Sequence, residues 1–153
     1  MPPITFALTC EELMPYWGFS GHCHLEEVGG TPPTQNIRTD QAWITQFDWR
    51  VTGMMNYFLD DEHSIWKMQL FLEKMGPGEG PSLPVVTESF IKLPLPHDYT
   101  HQYRVEAGTV PPGIYRLAAS LSLVCTVSGS EVPYPVAAFA EGPVLRFYEA
   151  SVI

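Results

Sequence analysis

Apolar and polar residues alternate along much of the chain, most clearly in the segment AWITQFDWRV. There Trp43, Phe47, Trp49 and Val51 fall on one face, and mostly polar residues fall on the other. Successive side chains of a strand point to opposite faces, so this pattern predicts a half-buried strand with an aromatic inner face. Related alternation predicts further strands, at 64–74, 85–95, 99–105, 114–127 and 136–150.

Helical periodicity is nearly absent. The segment TCEE, from Thr9 to Glu12, fits the capping pattern at the start of a helix, but Pro15 would end such a helix after about one turn. The segment MMNYFL at 54–59 is expected to be extended and apolar on both faces. It is predicted to form a hairpin or a close antiparallel pair with 64–74 around Asp60 and Asp61.

Many short alternating strands, separated by loops rich in the 15 prolines and 12 glycines, are typical of all-β domains. We therefore expect an all-β fold, an antiparallel sandwich of two packed sheets. Its core should be supplied by nine large side chains: Trp43, Phe47, Trp49, Trp66, Leu70, Tyr115, Leu117, Leu121 and Phe147.

The segment VPPGIYRLAASLSL resembles the penultimate strand of immunoglobulin-like and fibronectin type III domains, in which a turn precedes a tyrosine and an alternating run. The earlier strand around Trp66 is similar to their third strand. The resemblance implies an immunoglobulin-like β-sandwich over 40–153, with residues 1–39 as an irregular N-terminal extension packed on the domain. The antibody-type disulfide is not expected, since 42–52 offers Cys125 no cysteine partner. Such folds have many functions, so the resemblance implies none.

Charge restricts the class of partner. The chain has 8 basic and 17 acidic residues, and its net charge is −9. A phosphate backbone and an anionic lipid surface both require clustered Lys and Arg, so we expect neither nucleic acid nor membrane as a partner. The N-terminal segment lacks the pattern of a signal peptide, which favours a cytoplasmic location. There the cysteines Cys10, Cys23 and Cys125 should be free thiols, with Cys125 buried.

The segment GHCH at 21–24 is the most chemical part of the sequence. In an extended segment His22 and His24 share a face, which supplies two ligands for a metal, while Cys23 points the opposite way. The segment resembles half of a cupin metal motif, but Val28 and Gly29 stand where that family places its carboxylate. A third ligand would have to come from elsewhere: Glu26, Glu27, His63, His97 or His101. We expect no metal or other cofactor here.

Other candidates for chemistry have simpler interpretations. His97 and His101 would lie about 13 Å apart along one strand and could not share a metal. The segment DDEH at 60–63 is expected to be a solvated turn, and Cys125 follows an apolar run typical of a core. No complete catalytic motif is present, so we favour a function other than catalysis.

Large apolar side chains without clear alternation form the remaining candidate. They either pack over a sheet edge or make a recognition surface. The interaction candidates are Tyr16, Trp17, Phe19, Met54, Met55, Tyr57 and Phe58. The main hypothesis is a protein-interaction or assembly module that forms a homodimer or a stable complex with a partner protein. Two alternatives remain: a cupin-type metal-dependent enzyme or small-molecule binder using His22 and His24, and a carrier of an apolar ligand.

Overall fold

The computed structural model describes residues 4–27, 35–59 and 62–149, without the side chains of Glu27, Met55 and Tyr57. Nine strands and one 3₁₀ helix account for most of them. The strands are β1 (Ile4–Glu12), β2 (Gly18–Glu27), β3 (Asn36–Arg38), β4 (Trp43–Thr52), β5 (Ser64–Lys74), β6 (Val86–Ser89), β7 (His97–Val105), β8 (Gly113–Val127) and β9 (Ser130–Tyr148). Among the described residues, no helix is long and apolar enough to cross a membrane.

The strands form a single sheet with the order β6-β5-β8-β9-β1-β2-β4-β7, and β3 pairs in parallel with β9. All other neighbours on this path are antiparallel. The all-β, antiparallel prediction is therefore confirmed. The sheet does not divide clearly into the two sheets of the expected sandwich, because β1 pairs with strands of both halves and the sheet curls into a nearly closed, barrel-like form.

The two end strands of the sheet approach each other through side chains. His101 Nδ1 on β7 lies 2.7 Å from Glu88 Oε2 on β6. The hydroxyl of Tyr103 donates to the carbonyl of Pro84, which precedes β6. These polar contacts bring the two ends together.

Residues 4–27 differ from expectation. The irregular extension predicted for 1–39 is wrong for the described part, because β1 and β2 are full strands of the sheet and 36–38 form β3. Phe6 and Leu8 point inward in the alternating segment ITFALTCEE, so the apparent helix cap at Thr9–Glu12 is the end of a strand. β1 pairs with β2 over Ile4–Leu8 and then with β9.

The core lies between the two halves of the curled sheet and is rich in aromatic rings. All nine predicted core residues are buried, none more than 2% exposed. Trp66 is at the centre: its ring stacks on Trp17 at 5.8 Å and meets Trp49 and Tyr99 edge-on at 5.6 and 5.5 Å. The prediction of these core residues is confirmed.

The segment after β4 is a second correction. Met54–Phe58 form a 3₁₀ helix instead of a strand. The predicted hairpin between 54–59 and 64–74 is also wrong, since β5 pairs with β6 and β8. Gly53 (φ 106°) turns the chain sharply at the end of β4, which ends the ladder and lets 54–58 cover one end of the core.

Candidate functional site

Three apolar segments meet at one end of the molecule because of the strand register. Gly18 at the start of β2 pairs with Thr52 at the end of β4, and Val51 pairs with His97 at the start of β7. The segments just outside these positions, 13–17, 53–59 and 91–96, are thus neighbours. They cover the end of the core.

Buried and partly buried hydrogen bonds hold the three segments in place. Asn56 is completely buried; its Oδ1 accepts from Trp17 Nε1 at 3.2 Å, and its amide donates to the carbonyl of Lys92. The hydroxyl of Tyr99 accepts from the amide of Ile91 at 2.9 Å and donates to the carbonyl of the same residue at 3.1 Å. Each segment is therefore fixed to a neighbouring element rather than left as a free loop.

Large apolar side chains project from this framework into solvent. Tyr16 is 80% exposed, Met54 69% and Phe58 78%, and Leu13 and Leu93 are also exposed. We call these five side chains the apolar end surface. The segments that carry them contain no acidic residue and a single charge, that of Lys92.

The interaction candidates from the sequence divide into three groups. Tyr16 and the two side chains at 54 and 58 lie at the surface, as the previous paragraph describes. Trp17 is buried against Trp66, so its ring is not available to a partner, whereas Phe19 is partly buried against the core and keeps part of its ring accessible. The side chains of Met55 and Tyr57 lie outside the described part of the structure.

The histidines of GHCH lie on the outer face of β2, beside β4. His22 pairs with Asp48 and His24 pairs with Gln46 across the antiparallel ladder. Asp48 Oδ2 lies 3.4 Å from His22 Nε2 and 3.5 Å from His24 Nδ1. One possible ligand atom from each of the three residues lies within 4.8 Å of the others.

Neighbouring polar groups orient two members of this cluster. Glu26 Oε1 lies 3.0 Å from His24 Nε2. Thr100 Oγ1 donates to Asp48 Oδ1 at 2.7 Å, and the Gln46 amide donates to both carboxylate oxygens of Asp48 at 3.1 Å. The Asp48 carboxylate is consequently held with Oδ2 toward the two imidazoles.

A solvent-open groove of about 480 Å³ adjoins the cluster. Its lining includes His22, Asp48, Arg50, Asp98 and Thr100, all on the outer face of the sheet. Arg50 and Asp98 form a loose ion pair at 3.9 Å across the groove wall. A small ligand could reach the two imidazoles from this side.

The cysteine between the histidines has a different environment. Cys23 is fully buried on the inner face. Burial, and secondarily the negative charge of Asp48, raises the pKa of its thiol well above the ordinary value. Cys23 is therefore an unreactive core residue. Cys125, which the sequence predicted to be buried, is only partly buried.

The third member of the cluster was not among the expected ligands. His97 packs against Tyr99 and His101 pairs with Glu88, so neither joins His22 and His24. Alternation does place Asp48 on the polar face of its strand. Only the register between β2 and β4 brings it opposite His22, and that register depends on contacts far apart in the sequence.

Comparison of the chain with protein-family models, with curated proteins and with solved structures gives no match.

Proposed function

We propose that the chain is a non-enzymatic assembly module that pairs with a second copy of itself through the apolar end surface. The observation that carries this proposal is the exposure of Tyr16, Met54 and Phe58 on segments that buried hydrogen bonds hold in place. Large apolar side chains presented together on a fixed framework are typical of protein interfaces. A framework that is already ordered loses little entropy on binding.

The apolar end surface can accept a second copy although the chain as a whole is acidic. The chain carries a net charge of −9, but the segments 13–17, 53–59 and 91–96 carry only Lys92. A two-fold contact between identical end surfaces thus brings no acidic side chains of these segments together. Two-fold dimers are the commonest symmetric assemblies of soluble chains.

The energies suggest a reversible dimer. Burying three large apolar side chains on each copy gains about 1.5–3 kcal/mol per side chain. Association costs about 4–15 kcal/mol in lost freedom of motion. The gain from the six side chains and the cost of association overlap over most of these ranges, so we expect a weak, reversible dimer and test it from micromolar to millimolar protein.

We also infer an immunoglobulin-like arrangement of the two halves of the sheet. The division of β1 between β2 and β9 supports it, since each half then resembles one layer of a sandwich. Further support comes from Tyr115, whose hydroxyl donates to the carbonyl of Pro111 at 3.0 Å, four residues upstream. A tyrosine at the start of the penultimate strand with such a bond is a feature of immunoglobulin-like domains.

The assembly proposal is tested by multi-angle light scattering over a concentration series. Within a series from micromolar to millimolar protein, the wild type should change from monomer to dimer, and the double variant Tyr16→Ser/Phe58→Ser should remain monomeric. Added salt should strengthen the wild-type dimer, because it screens the repulsion between two acidic chains and leaves the apolar contact intact.

Ile114→Ser is the matched control. Ile114 is an exposed apolar residue next to Met75, which follows the end of β5 farther from Trp66. Its replacement should leave the dimer unchanged. A wild-type chain that stays monomeric throughout the series would refute the proposal. Equal dimerisation of the double variant would place the contact elsewhere and refute it as well.

A further inference from the structure

Three potential ligand atoms converge on the outer face of the sheet. The distances from Asp48 Oδ2 to His22 Nε2 and His24 Nδ1 are 3.4 and 3.5 Å. Zinc binds imidazole nitrogen and carboxylate oxygen at about 2.0–2.2 Å, and in a tetrahedral site two such ligands are separated by about 3.4 Å. Two edges of a zinc tetrahedron are thus already present. The third, between the histidines, needs only a side-chain adjustment, since the ligand atoms lie within 4.8 Å.

The surrounding hydrogen bonds match those of a metal site. If His24 donates its Nε2 proton to Glu26, its Nδ1 carries a lone pair directed at the cluster. Metal-binding histidines commonly donate their second nitrogen to a carboxylate in this way. Thr100 and Gln46 hold the carboxylate of Asp48 in turn. Thr100 and Gln46 are uncharged, so they orient the Asp48 carboxylate without neutralising its negative charge.

We propose that His22, His24 and Asp48 bind one zinc ion at the surface of β2 and β4. Two imidazoles and one carboxylate form a donor set suited to zinc with three protein ligands and an open position. The open position would face the groove lined by Arg50 and Thr100. The expectation of no metal was based on the lack of a third ligand near GHCH, and Asp48 supplies that ligand. This site is separate from the apolar end surface and does not depend on dimer formation.

The test is isothermal titration of tag-free, chelator-treated protein with zinc chloride. We expect one zinc per chain. His22→Ala and Asp48→Asn should each remove most of the binding, and Thr100→Val, which frees the carboxylate, should weaken it by about 10–100-fold. Cobalt in place of zinc should give the visible absorption of a tetrahedral site in the wild-type protein and lose it in His22→Ala.

His101→Ala is the control, since His101 also pairs with a carboxylate, Glu88, but lies outside the cluster. This variant should bind zinc like the wild type. Circular dichroism verifies the fold of each variant; His22 is half exposed, so its replacement should not unfold the chain. Folded wild-type protein that binds no zinc, or that binds it equally after both His22→Ala and Asp48→Asn, would overturn the proposal.

Discussion

At the scale of single residues, the interior depends on contacts between aromatic rings. Trp66 has no exposed surface and contacts three other rings. They belong to Trp17 just before β2, Trp49 on β4 and Tyr99 on β7. Trp49 and Tyr99 stack almost in parallel at 5.0 Å. Large rings each bury much apolar area, so a few of them carry a substantial part of the stabilisation.

Replacing Trp66 with Ala should lower the free energy of unfolding by about 3–5 kcal/mol, because it leaves a large cavity among rings that cannot close it. Trp66→Phe keeps a ring in the same place and should cost clearly less. Equilibrium denaturation in urea measures both variants. A loss below about 1 kcal/mol for Trp66→Ala would mean that this residue is not central to the core.

Because of Tyr103, the free energy of unfolding should depend on pH in the alkaline range. Burial raises the pKa of Tyr103 to about 12. In the unfolded chain the value is about 10, so the folded state keeps its proton longer. This contribution to stability is complete below about pH 10 and is lost as the pH rises toward about 12. Urea titrations across that interval should show a decline that is smaller in Tyr103→Phe; an identical decline would contradict the assignment.

At the scale of elements, strands with one buried face were predictable from the sequence and their partners were not. The alternation in 43–52 and 114–127 follows from local geometry, which the order of residues records directly. The 3₁₀ helix at 54–58 was missed because apolar residues on both faces fit a doubly covered strand equally well. β1 was missed because a capping pattern competed with the weaker alternation of Phe6 and Leu8.

For the candidate sites too, local features could be predicted from the sequence, whereas contacts between distant segments could not. The shared face of His22 and His24 is a local property and was predicted correctly from their spacing. Asp48 lies 24 positions beyond His24 in the sequence, and only pairing between strands places it beside them. Likewise, the burial of Trp17 depends on its contact with Trp66, which no local pattern indicates.

The turn at Gly53 should be among the most sensitive backbone positions. A Cβ there would overlap the carbonyl oxygen of Tyr16 and lie 2.8 Å from Trp17 Cα, in addition to the strain of φ 106°. We expect Gly53→Ala to cost about 2–4 kcal/mol. Gly108→Ala is the control, because Gly108 also has a positive φ but open space around it, and should cost about 1 kcal/mol. Equal losses in denaturation experiments would show that the contact with 16–17 is unimportant.

At the scale of the whole molecule, the side-by-side pairing of β2, β4 and β7 creates both candidate surfaces. Wrapping β2, β4 and β7 side by side places the histidine cluster on the outer face of these strands. The same wrapping gathers the connections before β2, after β4 and before β7 at one end, where the apolar end surface forms. Both surfaces combine residues from strands that are distant in the sequence. Composition and periodicity could therefore indicate the residues involved but not their arrangement in space.

The most direct test of the assembly proposal is photocrosslinking from position 58, with a photoreactive phenylalanine analogue in place of Phe58. At concentrations where the dimer forms, illumination should give a covalent dimer whose links map to 13–17, 54–59 or 91–96 of the second copy. Dimers linked only to β6 or β7 would assign the contact to a sheet edge, and a chain that gives no crosslinked dimer would contradict the proposed function.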